Sequence, residues 1–371
     1  MPSPDLLEEA ERQLTVCNAC RYCEGYCAVF PAMELRRDFD EADIVYLSNL
    51  CFECRACYYA CPFTPPHEYG INIPEVLSAV RVETYREYSS PALLSRLFFG
   101  RRLVVALTVA AAVFLILAGV LAAKGPDVLF GTPPEGASFY RVIPYLAMVL
   151  PALALSGLWI GALFVAGRRF WRETRPAAGD VVDTGAFLRA TRDAAGLEYL
   201  KGGGDGCTYP DERPSELRRW SHHLLVVGVL LDLASTTLAA VYHNFLGRDA
   251  PYPYLSAPVV LGTVGGILIL AGGLGLLALK RRSDKAAANA EMLNLDIVFL
   301  VLLLLTSASG LLLLVLRETA AQGTLLVVHL GIVAALYLAL PYGKFAHVVH
   351  RYLALVRYRV EQSRTGGAGP S

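Results

Sequence analysis

Several things are missing from this 371-residue chain, and each closes off a class of protein. Net charge is zero, with 33 Lys+Arg against 33 Asp+Glu. Nothing reads as a DNA-binding or kinase-like segment, so neither a nucleic-acid partner nor a sensor with an output domain is expected. The start is polar and acidic, without the basic and then apolar regions of a secretory signal, so no such signal is expected. The glycine run Gly202-Gly203-Gly204-Asp205-Gly206 lacks the G-x4-G-K-[ST] pattern and the preceding strand of a phosphate loop. No pair of broken apolar segments recurs in corresponding halves, as a transporter would require. Cysteine is nearly absent outside two short stretches, with Cys207 the one exception among nine.

What is present begins with those stretches. Cys17, Cys20, Cys23 and Cys27, then Cys51, Cys54, Cys57 and Cys61, each read C-x2-C-x2-C-x3-C, and the second run ends Cys61-Pro62. Thiolates at this spacing form the ligand set of two [4Fe–4S] clusters, the fourth cysteine of each run serving the other cluster. The assignment is therefore Cys17, Cys20, Cys23 and Cys61 to one cluster, and Cys51, Cys54, Cys57 and Cys27 to the other. Zinc would need only one such set and does not favour the third C-x2-C step. Helical spacing at Leu6, Leu7, Ala10, Leu14 and at Val76, Leu77, Val80, Val82 predicts helices over 5–16 and 74–88. A third helix fits between the runs, starting near Asp40-Glu41-Ala42-Asp43. With no hairpin signal there, residues 1–95 read as a helical ferredoxin-like domain.

Apolar residues make up 55% of the chain, and mean hydropathy is +0.44. Six runs are long enough to cross a bilayer, near 103–123, 142–166, 224–243, 255–279, 297–316 and 324–343. The expected fold is all-α: the iron–sulfur domain (1–95), a six-helix membrane domain (96–343, including a loop at 167–221), and a basic tail (344–371). Zero net charge hides an asymmetry, since residues 1–95 carry 7 basic against 15 acidic residues. The segments 167–221, 280–296 and 344–371 hold ten, four and five Lys/Arg, against two, one and one in the alternate loops 124–141, 244–254 and 317–323. The positive-inside rule makes the first set cytoplasmic. Reduced thiolates put the N-terminal domain there too. The expectation is a multi-pass inner-membrane protein with both the iron–sulfur domain and the C-terminus in the cytoplasm.

Histidines cluster at the ends of the third and sixth runs: His222, His223 and His243, then His329, His347 and His350. His329 and His347 are 18 residues, five whole turns, apart on one face, roughly 27 Å along the axis. His222 and His243 lie within roughly 60° of one face, whereas His223 is turned away from His243. On antiparallel helices His222 would oppose His347, and His243 would oppose His329, which suits bis-histidine ligation of two stacked b-type haems. Interfacial histidines that meet only lipid and water are the alternative. Asp232 is the ionisable residue deep in a run, a candidate for carrying protons or bonding a haem group. Its alternative is a polar contact to Ser235 or Thr236. Cys207 is a candidate ligand or a buried thiol in a loop that docks the head. The glycines of the fourth run suit close helix packing, and the basic tail suits anionic lipid, haem propionates or the acidic head.

The chain resembles the tricarballylate-utilisation protein B (TcuB, also CitB) family. The likeness rests on the paired cysteine runs, Tyr199 to Cys207, Arg219-Trp220-Ser221-His222-His223, and Tyr242-His243 followed by Ala250-Pro251-Tyr252. The cysteine runs also resemble the helical ferredoxin modules of succinate dehydrogenase and heterodisulfide reductase. The last run and tail are similar to the dihaem cytochrome b subunit of respiratory nitrate reductase. That subunit holds its other two haem ligands closer together on one span, and the corresponding inner position here falls near Asp232. The resemblance implies electron transfer from the reduced flavin of a separate FAD-dependent, TcuA-like dehydrogenase acting on tricarballylate, through the clusters and one or two haems, to membrane quinone. A related fusion protein serves cobalamin ring contraction, so a biosynthetic electron donor is the other reading within the family.

Overall fold

The computed structural model describes residues 2–175 and 182–364. Positions 176–181 of the long loop and 365–371 of the tail lie outside the described residues. The head comprises α1 (Pro4–Cys20), α2 (Val29–Met33), α3 (Glu41–Leu50), α4 (Ala56–Ala60), α5 (Ile73–Tyr88) and α6 (Ala92–Phe98). Local chemistry sets the ends of these helices. Asp40 accepts the Asp43 N–H at 2.8 Å and starts α3, and the Asn72 side chain accepts from Glu75 at the start of α5. Left-handed residues turn the cysteine loops: Arg21 (φ 53°) ends α1 between Cys20 and Cys23, and Glu53 (φ 57°) and Arg55 (φ 67°) flank Cys54. Non-glycine residues in that region carry strain, which a packed functional loop can hold.

The membrane part comprises α7 (Arg102–Lys124), the short α8 (Pro126–Phe130), α9 (Tyr145–Thr174), α10 (Thr184–Gly196) in the long loop, α11 (Leu217–Leu246), α12 (Ala257–Arg282), α13 (Ala290–Val315) and α14 (Gln322–Ala339). Among the described residues, α7, α9, α11, α12, α13 and α14 with its continuation to Tyr342 are long and apolar enough to cross a membrane. The fold is all-α apart from a ribbon of β1 (Cys207–Thr208) on β2 (Pro214–Ser215). α11 and α12 pack along a small-residue seam. A Cβ on Gly265 would strike the Gly228 carbonyl at 2.8 Å, and one on Gly272 would strike Leu225 N at 2.6 Å.

The tail takes the acidic head as its partner. Helix α15 (His347–Arg364) buries Ala354, Leu355 and Tyr358 in one core with Leu14, Tyr46, Leu47 and Leu77. Glu361 pairs with Arg36 at 2.5 Å and accepts the Tyr46 hydroxyl at 3.0 Å, while Arg357 pairs with Asp43 at 2.9 Å. Arg359 meets Asp193 of α10 at 2.6 Å. A basic tail that reads as a lipid-binding arm is thus a helix of the head, because apolar positions on its other face have a core to enter.

Candidate iron–sulfur and histidine sites

The two cysteine sets converge on two different environments. Cys17, Cys20, Cys23 and Cys61 line one open hollow of about 310 Å³, walled by Val16, Phe30, Phe63 and Ile71. Cys20 is exposed to solvent. Burial and the neighbouring thiols push Cys17 and Cys23 up to about 12. In the second set Cys51 and Cys54 are buried and Cys57 and Cys27 half-buried. Burial raises Cys27 and Cys57 well above the usual thiol value, and the charges of Cys54 and Cys51 add to both. Four crowded thiols resist ionisation by themselves, and bound iron reverses that balance. Backbone N–H groups already face two sulfurs, Glu53 N to Cys51 Sγ at 3.4 Å and Phe63 N to Cys61 Sγ at 3.3 Å. Among the described residues no three His, Cys, Asp or Glu side chains are grouped tightly enough for a single metal ion. A cube that takes each thiolate on a different iron needs a wider set, and the donors present suit it.

The second loop sits on the membrane part and is tied to it by buried charge. Arg218, at the start of α11, donates to the carbonyls of Glu53 (2.6 Å) and Phe52 (3.2 Å). Arg81 of α5 donates to Cys51 O at 2.6 Å and Ser48 O at 2.9 Å and pairs with Glu53 at 3.0 Å. Burial alone would raise the Glu53 carboxyl, but Lys280, Arg81 and Lys344 outweigh it and hold it well below the usual range. Lys280 and Lys344 both pair with the buried Asp296 of α13, the latter at 2.6 Å. Arg351 of α15 lies 4.8 Å over the Phe52 ring. Its Nε and Nη2 are buried without a partner. Tyr85 and Glu53 lie within electrostatic reach of it, and its two partnerless nitrogens suit a further anion such as a carboxylate.

Arg218 and Arg351 are each four residues, about one turn, from a histidine. Those histidines meet: the rings of His222 and His347 lie 6.4 Å apart, 85° between planes. Two imidazoles on opposite sides of one metal ion, each about 2.0 Å away through nitrogen, have centroids roughly 6 Å apart. His347 Nδ1 meets the Lys344 carbonyl at 2.6 Å, which fixes the ring and leaves Nε2 for a metal. Burial, then Lys344 and Arg351, lowers the His347 pKa well below its usual value, so the ring is the neutral, ligating form. The donor set and the two partnerless nitrogens of Arg351 fit a haem at this level.

The other histidines go elsewhere. His223 turns to the Ala195 carbonyl at 3.1 Å. His350 is fully buried among Tyr85, Tyr88 and Phe170, with Nδ1 2.8 Å from Ala346 O. At the far end, His243 pairs with Asp249 at 2.8 Å and lies 3.7 Å from the Tyr145 ring. His329 contacts Ser309 Oγ at 3.0 Å and abuts Gly310 on α13. No ring contact joins His243 to His329 among the described residues. Asp232 lies in the α11–α12 seam, where its carboxylate occupies the space a Cβ on Gly265 would need, and its backbone carbonyl takes the Thr236 hydroxyl at 3.0 Å. Cys207 is fully buried and donates to Leu200 O at 3.0 Å, inside a loop that clamps the head. Gly203 (φ +87°) of that loop runs so close to Tyr26 that a Cβ would stand 3.1 Å from its ring, and Thr208 donates to Cys54 O at 3.2 Å.

Sequence reasoning missed Arg218, Arg81, Glu53 and the Lys280–Asp296–Lys344 group. The only trace of them is charge in unexpected places: Glu53 and Arg55 inside a metal-binding run, and Asp296 at the mouth of an apolar span.

A cysteine-rich helical head on six apolar helices defines a class, the multi-pass membrane proteins with a ferredoxin-like iron–sulfur head. Residues 99–368 match the family described as Citrate utilization protein B, and residues 10–87 match its Fer4-like domain. The chain is 42% identical over 362 residues to Citrate utilization protein B of Escherichia coli, spanning 97% of this chain and 94% of that one. It belongs to the citrate utilization protein B family. No solved structure matches it.

Proposed function

We propose that this protein takes electrons from a reduced, FAD-dependent dehydrogenase acting on tricarballylate or a similar acid and delivers them to membrane quinone, through two [4Fe–4S] clusters and a b-type haem. The observation that carries this reading is the stacking of sites: the buried Cys51–Cys57 loop rests, through Arg218 and Arg351, on the His222–His347 pair. Bound clusters and haem supply one-electron chemistry, which lets a two-electron flavin be emptied in single steps. The chain's own residues do the rest. Exposed Cys20 and the neighbouring Tyr22 leave the first site open to a soluble partner. Phe52, Tyr199 and the clamp at Gly203 keep water from the second. Arg218 and Arg351 fix the distance from loop to histidines and supply positive charge beside them. The reading sets the head and tail in the cytoplasm and counts one haem, at the head-side level.

The test is an anaerobic dithionite-reduced minus oxidised spectrum of the detergent-purified chain, with non-haem iron and haem quantified on the same sample. Haem b with two clusters' worth of iron is expected. Iron without haem would leave the membrane part as an anchor and overturn the relay.

A further inference from the structure

A shallow cleft opens between the start of α7 and the facing ends of α13 and α14. Its rim carries cationic side chains, Arg101, Arg102 and Lys344, and its depth is apolar, with Val105, Leu302 and Leu336. Beside the rim, the rings of Phe98 and Tyr342 stack 6.0 Å apart with 22° between planes. The mouth is built rather than incidental. Gly100 takes φ +71°, Asn294 donates to its carbonyl at 2.9 Å, and a Cβ there would meet Glu291 at 3.1 Å. Lys344 belongs to both sites. Its Nζ points to Asp296 at 2.6 Å and Met292 Sδ at 3.2 Å, and its carbonyl holds the His347 ring at 2.6 Å.

We infer that this cleft is the quinone site, on the head side of the membrane, with the quinone ring at the Lys344 rim against Phe98 and Tyr342 and its isoprenoid tail along Val105, Leu302 and Leu336. The inference rests on the proposed quinone reductase function and assigns it a place. A quinone presents two carbonyl acceptors on a flat ring with an apolar tail, and this cleft offers cationic donors, ring faces and an apolar wall in that order. Asp296 already neutralises Lys344, so that side chain has an N–H for a neutral carbonyl but no net charge for a phosphate; Arg101 and Arg102 suit either ligand, and competition by phospholipid separates the two. The step adds two electrons and two protons to the quinone. Both carbonyl oxygens become hydroxyls, the electrons come from the partner's reduced flavin by way of the head, and the protons come from water at the Arg101–Arg102 rim.

The experiment uses the full chain, loaded with iron and haem, in lipid nanodiscs with a photoactivatable azido-quinone. Labelled peptides should fall within 98–105, 295–302 and 336–344, and excess decyl-quinone, not phospholipid, should suppress them. Ala339→Phe, which fills the cleft, should weaken quinone binding by roughly tenfold or more while iron and haem contents stay unchanged. Label near His243 and Tyr252, suppression by phospholipid, or unchanged binding in the Ala339→Phe protein would overturn the assignment. Should that variant fail to fold, the labelling of the native chain decides. Quinone reduction with label elsewhere refutes the cleft alone. Haem reduction with no quinone bound or reduced refutes the function itself.

Discussion

The two ends of the membrane part are built from similar residues and do different things with them. At the head-side end, His222 and His347 face each other 6.4 Å apart under a roof of buried charge, Arg81, Glu53, Lys280, Asp296, Lys344 and Arg351. At the far end, His243 and His329 bond Asp249 and Ser309 through Nδ1 without meeting each other, and the buried cation Arg317 has the Tyr252 carbonyl at 2.6 Å and the Tyr254 ring at 3.7 Å while its Nε lacks a hydrogen-bond partner. His347, His243 and His329 are all held through Nδ1. What separates the ends is that the near rings meet across two helices and the far rings do not. Helical spacing alone treats the two ends as equivalent, and it assumes one helix from His329 to His347; instead α14 ends at Ala339, short turns follow, and His347 opens α15.

The largest effect that would test this contrast is haem content. His222→Ala or His347→Ala should abolish haem b in the reduced-minus-oxidised spectrum, while His243→Ala and His329→Ala should retain it. Loss of half the haem in a far-end variant would break the comparison and restore a second haem. Next comes stability of the roof. Arg81→Met removes the closest ion pair of Glu53 and leaves two carbonyls without this donor in a dry interior, and should cost about 3–5 kcal/mol, read as an earlier thermal or denaturant transition of the head. The matching far-end change, Arg317→Met, removes one hydrogen bond, one ring contact and a loose ion pair to exposed Glu318, and should cost about 1–2 kcal/mol, read on the transition of the membrane part. Equal costs at the two ends would refute the view that only the head side is a coupled network. The smallest effect is expected at Asp232, whose carboxyl sits in the helix seam between the two levels. Asp232→Asn should keep haem and full quinone reduction, and a slowed reduction at unchanged haem would instead make it a proton carrier.

Much of the fold was legible because it depends on patterns that repeat locally. The six apolar runs became six long helices, and the cap at Asp40 began α3 where its residues indicated. The helices run past the apolar stretches, α9 to Thr174 and α11 from Leu217, since a helix continues beyond the bilayer wherever the head can pack on it. The tail could not be read this way. The sequence leaves its arginines open among lipid, haem propionates and the acidic head, and only the fold sets Asp43 and Asp193 against Arg357 and Arg359. The choice of His222 over His223 was also open, because neighbours in sequence differ by 100° on a helix and only the packing of α11 says which one faces α15.

By itself, then, the sequence determined the donor atoms and the spans: eight thiols at iron–sulfur spacing, six apolar helices, and histidines near the ends of two of them. These are properties of short stretches, set by ligand spacing and by the length of helix that a bilayer demands. Only the tertiary structure decided which of the expected histidine pairs meets and which charges are buried beside it. Those depend on residues hundreds of positions apart, such as Arg36 with Glu361 or Phe52 with Arg351, whose contact energies exist only once the chain has brought them together.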